Sequence, residues 1–154
     1  SSVSMAGFQA DETAADSVDE GDAGAARMTL DRKVITTPQP HTVGGLTIFR
    51  SIDLDETEEE IKATAGQLYG YYFSNSNAAA RFLKFYNATA ANVTVGTTTP
   101  VLTLYLPPTS AGHVAFTHGV AFDTAITAAA TTGVADADTG APGANEVVLN
   151  AFYK

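Results

Sequence analysis

The chain contains no cysteine and no tryptophan, and its 8 lysines and arginines face 17 acids. Each shortage excludes something. Without cysteine there are no disulfides, no thiolate metal sites and no thiol nucleophile. The compartment stays open, because many extracellular proteins also lack cysteine. With a formal net charge of −9, a sequence-independent grip on nucleic acid is not expected, since that grip needs Lys and Arg to neutralise phosphates. No apolar run reaches ~18 residues, so no helix is expected to span a membrane. No basic stretch followed by an apolar one opens the chain, so no secretory signal is expected there.

Catalytic signatures are missing too. There is no nucleophile-elbow G-x-S-x-G, no phosphate-binding loop and no dinucleotide fingerprint. His113 and His118 stand five residues apart. On one extended segment that spacing puts them on opposite faces, where they cannot jointly hold a metal. The chain reads as a non-enzyme with no cofactor.

What is present is acid at the start and alternation afterwards. Residues 1–26 hold Asp11, Glu12, Asp16, Asp19, Glu20 and Asp22 and no base. Large apolar residues there are few, so the segment cannot bury enough surface to offset its ordering entropy. Arg27, Arg32 and Lys33 then reverse the sign of charge, and Pro38 and Pro40 stop any strand. Residues 1–42 are expected to form a flexible, extended acidic arm.

From Val43 onward apolar and polar residues alternate with a period of two. Leu46, Ile48, Ile52 and Leu54 share a face, as do Leu83 and Phe85. Leu102, Leu104 and Leu106 repeat the pattern. Val114, Phe116, Val120 and Phe122 do so again, and Val147, Leu149 and Tyr153 close the chain. Asp55–Glu60 reads as a charged break. Ile61–Phe73 reads as a strand or bent pair with Gly66 and Gly70 as kinks or bulges. Residues 74–77 are a turn cluster, Asn87–Thr99 and Gly133–Ala144 are loops, and Ala125–Ala130 fits helix or strand. The whole predicts residues 43–154 as an antiparallel β-sandwich or jelly roll of about seven to eight short strands.

Three groups are candidates for binding. The acidic run Asp53, Asp55, Glu56, Glu58, Glu59 and Glu60 has oxygen ligands that suit calcium, although such runs are usually solvated turns. Asp136, Asp138 and Gly140 faintly resemble a calcium loop but lack its terminal glutamate. Tyr69, Tyr71, Tyr72 and Phe73 form the densest aromatic cluster. Exposed rings would stack on sugars or fill a partner's pocket. The plainer reading puts two in the core and two outside. These four, with Arg27, Arg32 and Lys33, are the candidate interaction residues. No metal site is expected.

Several segments carry a resemblance. They are Ile48-Phe49-Arg50, Ile61 through Gly70, Asn75 through Tyr86, Thr94 through Pro100, Thr132 through Asp136, and Phe152-Tyr153-Lys154. Together they make residues 47–154 similar to small structural proteins of tailed bacteriophages. The resemblance implies a virion component built as a β-sandwich or jelly roll, with no catalytic residues. It implies a capsid decoration (cement) protein on the capsid exterior, with the major capsid protein as partner. Homo-oligomers, trimers first, suit the local three-fold axes of a shell. Reach would come from the arm, since ~40 extended residues span up to ~130 Å. A tail, neck or fibre component and a carbohydrate-binding module are the alternatives.

Overall fold

The computed structural model describes residues 45–154 and the backbone of two short strands upstream. The chain divides into two compact units, Ser1–Val43 and Gly44–Lys154. In the first, β1 (Gln9–Ala10) and β2 (Arg27–Met28) pair in parallel. The expected extended arm otherwise lies outside the described residues.

The second unit is all β. Its strands are β3 (Thr47–Ser51), β4 (Glu59–Lys62), β5 (Gly66–Asn75), β6 (Arg81–Tyr86), β7 (Leu102–Leu106), β8 (Ser110–Phe122), β9 (Ile126–Thr131) and β10 (Val147–Tyr153). A single 3-10 turn, Ala90–Asn92, is the helical element among the described residues. Of Ala125–Ala130, open to helix or strand in the sequence, all but Ala125 fall in β9, both of whose faces are covered.

First pairs with last throughout: β3 with β10, β4 with β9, β5 with β8 and β6 with β7, all antiparallel. Strand β10 also joins β5, and β9 also joins β6. The result is two four-stranded sheets, β3-β10-β5-β8 and β4-β9-β6-β7. This is the order of a long double hairpin wrapped on itself, a jelly roll.

The alternation explains the layers. Leu68, Tyr71, Leu149, Ala151 and Phe122 from the first sheet meet Leu83, Phe85, Leu106, Ile126, Ala128 and Ala130 from the second, all buried in one cluster. Each fully buried Leu or Phe side chain contributes about 1.5–3 kcal/mol relative to exposure. Ala128, Ala130 and Ala151 keep the gap narrow where rings cross from the other side.

Two features depart from the expected pattern. The charged break over 55–60 contains the start of β4. Strand β4 lies at a sheet edge and pairs only β9, so its acids stay near solvent while Ile61 alone enters the core. Strand β8 is longer than its partner: Gly70 pairs Ala115, but Leu68 pairs Val120. The surplus residues bulge around Gly119, whose φ of 73° suits glycine. The strict alternation that separated His113 from His118 is therefore interrupted between them.

Loops pack over the second sheet's outer side around Lys84, Tyr86 and Ala129, while Tyr105 at the β7 edge stays 60% exposed. The loop over 87–101 folds across it, and Tyr86, Val93 and Ala129 form a second buried cluster with Ala88 and Val95 against them. Lys84, with no exposure at all, donates from Nζ to the Ala135 carbonyl at 2.7 Å.

Candidate functional site

Among the described residues, nothing packs on the outer side of β3-β10-β5-β8. Register places Arg50 opposite Asn150, Asn150 opposite Tyr72, and Tyr72 opposite His113, one row across four strands. The next row runs Ile48, Phe152, Gly70 and Ala115. Ile48, Tyr72, His113, Asn150 and Phe152 line an open depression of about 540 Å³. Ile48 is 63% exposed and Tyr72 39%.

Gly70 sits in the register between Phe152 and Ala115, beside the depression. A Cβ at Gly70 would collide with the Val114 carbonyl oxygen. The close approach of β8 explains why glycine stands there.

The electrostatics of this face differ from those of the chain. None of the four strands contains Asp or Glu. The acids of this unit lie elsewhere, in the segment 53–60, at Asp123, and in the segment 136–146. Arg50 lies on an otherwise uncharged sheet. Among the described residues, the side chains of Arg50, Asn150, Tyr72 and His113 have no hydrogen-bond partner.

The predicted aromatic cluster splits. Tyr71 is buried at 4% exposure, and its ring lies 6.0 Å from Phe85 and 6.2 Å from Phe116. Burial raises its pKa. Phe73 packs against the same core. Tyr72 points outward into the depression. Tyr69 stands at the bulge and donates its hydroxyl to Gln67 Oε1 at 2.6 Å. Arg27 lies in β2, and Arg32 and Lys33 fall outside the described residues.

The acidic run does not converge on a point. Asp55 Oδ1 accepts from the Thr57 amide, Glu59 Oε1 from the Ser51 hydroxyl, and Glu60 Oε2 from the Ala90 amide. Asp53 Oδ1 accepts from the Asn145 amide. Asp138 Oδ1 accepts from the Gly133 and Gly140 amides and closes its own loop. Among the described residues no group of three or more His, Asp or Glu side chains could hold a metal ion. No described helix is long and apolar enough to cross a membrane.

Sequence reasoning missed the row itself. Asn150 and Arg50 come from strands at opposite ends of the unit, and only the first-with-last pairing of a jelly roll makes them neighbours. Nothing local in the sequence showed that loops would cover Lys84 and Tyr86. Comparison with protein-family models, with curated proteins and with solved structures finds no match for this chain.

Proposed function

We propose that this chain is a virion structural protein of a tailed bacteriophage. It acts as a decoration or cement protein that bridges and stabilises capsomers on the head exterior. The observation that carries the reading is the strand order. A wrapped double hairpin of eight strands is the architecture of many viral capsid domains. That support is an argument from fold, and the same fold serves other tasks.

Two further features suit the role. The sheets are clamped at one end by buried polar contacts, which gives a rigid body. Loops pack over much of one sheet, and the outer side of the other is open among the described residues. In this reading the partner is the major capsid protein and the chain sits as a homotrimer. Many copies on one shell act together, so each contact can be weak. Residues 1–42 supply reach to a neighbour.

Electron microscopy of particles that carry the chain tests the proposal. It is expected to show copies of the order of hundreds on the head, as avidity requires. A few copies confined to tail or neck, or absence from the particle, would overturn the cement role.

A further inference from the structure

We infer that the depression lined by Ile48, Tyr72, His113, Asn150 and Phe152 is a saccharide site, and that it takes a ring bearing a carboxylate. The inference does not rest on the cement reading.

Size decides first between a protein and a small ligand. Strands are spaced about 4.8 Å apart and rise about 3.4 Å per residue, so the face shared by all four strands covers roughly 300 Å². A stable protein interface needs about 800 Å² from each partner. The bare face alone falls well short. The depression, at about 540 Å³, falls within the ~300–1,000 Å³ of ligand sites.

Chemistry decides next. An apolar ligand would use Ile48, Tyr72 and Phe152 but nothing else in the lining. A pyranose uses all of it. One side of the ring is a patch of C–H groups that rests on an aromatic face, and its rim is hydroxyl. Tyr72 and Phe152 line the depression and offer the aromatic surface. Asn150 and His113 stand on either side of Tyr72 in the same row. An amide carries two donors and two lone pairs and an imidazole carries one or two donors, the set that hydroxyls need.

Charge decides last. The chain carries 17 acids, yet the four strands of this face carry none. Arg50 is not part of the lining but ends the row beside Asn150, at the margin of the depression. A guanidinium grips a carboxylate with two parallel hydrogen bonds. An anionic ring therefore meets one cation and no repelling acid on the sheet.

The test is titration of the isolated full chain, followed by amide NMR, with short alginate and oligogalacturonate fragments and neutral glucan fragments of matched length. Acidic fragments are expected to shift amides of β3, β5, β8 and β10 around the depression. Tyr72→Ala should weaken binding about tenfold, the scale of one lost stacking contact. Arg50→Gln should weaken it several-fold and flatten its salt dependence. Both positions are exposed, and thermal melts verify folding. Four results overturn the inference. One is no binding of any fragment to the wild-type chain. A second is binding that neither substitution changes. A third is neutral fragments bound as tightly as acidic ones. The last is a self-association that Tyr72→Ala abolishes while saccharides stay unbound. None of these bears on particle copy number, so failure here leaves the cement proposal standing.

Discussion

Arg81 and Glu146 clamp the two sheets together at one end of the sandwich. Arg81 opens β6 in one sheet, and Glu146 immediately precedes β10 in the other. Nη2 and Nε of Arg81 donate to Glu146 Oε2 at 2.7 and 2.9 Å. Asn77 donates to the other carboxylate oxygen. Nearby, buried Asn75 reaches the carbonyls of Ala79, Leu106 and Pro107 through Nδ2. Side chains therefore tie the turn after β5 and the start of β10 in one sheet to the start of β6 and the end of β7 in the other.

Glu146 should govern part of the acid stability. A backbone hydrogen bond at Gly143, aided by the Arg81 and Asn77 side chains, holds its pKa below the ordinary value of 4.5, against an opposing effect of burial. A lowered folded pKa means the contribution is complete above the unfolded value. It is lost as pH falls through the lowered one. Glu146→Gln should cost about 1–3 kcal/mol near neutral pH, the range for a charge-assisted hydrogen bond. Urea melts as a function of pH check it. The wild type should lose stability below pH 4.5 more steeply than the variant.

The strands were legible where a single residue period ran unbroken. Leu83 and Phe85 could be placed inside because β6 keeps strict alternation, and the same held for Val147 and Leu149. The jelly-roll order was not legible beyond its class. Pairing β3 with β10 joins residues about a hundred positions apart, and no local signal encodes that. The site was legible only in part. Tyr72 stood out as one ring of four, but its outward direction depends on the bulge at Leu68–Gly70. His113 looked like an isolated histidine until β5 brought Tyr72 beside it.

Tyr86 predicts an alkaline limit. Its hydroxyl is buried with no hydrogen-bond partner. Burial first, then the charges of Asp136 and Glu58, push its pKa up to about 12. A tyrosine whose folded pKa is raised contributes stability that is whole below pH 10. That stability is lost as pH climbs toward 12. Tyr86→Phe removes the unpaired hydroxyl and keeps the ring. It should be neutral or stabilising by up to about 1 kcal/mol at pH 7. Thermal melts between pH 7 and 11 check both points, and the variant should lose less stability than the wild type at the alkaline end.

Lys84 predicts a separation between loop order and global stability. Its stem lies on the outer face of β6, and its ammonium is tied to the Ala135 carbonyl under the loop over 132–146. Lys84→Met keeps most of the volume and removes a buried charge, so global stability should change by less than about 1.5 kcal/mol. The Ala135 carbonyl then loses its donor. Hydrogen exchange should quicken in the loop while β6 and β9 stay protected. Lys84→Ala adds a cavity and should cost about 2–4 kcal/mol.

Gly70 offers the sharpest test of how β8 is held. A side chain there meets the Val114 carbonyl oxygen and then the Ala115 Cα of the neighbouring strand. Those atoms are backbone and cannot rotate away, so β8 must shift. Strand β8 is an edge and pairs only β5, so it can move without breaking the rest of the sheet. Gly70→Val should therefore cost about 1–3 kcal/mol, the usual penalty for overpacking. The loss should be local. Amides of β8 between Ser110 and Ala115 should exchange faster, while those of β10, shielded between β3 and β5, should keep their protection. Equal loosening of β8 and β10 would mean that the sheet yields as one unit, and that the edge strand is not the compliant part.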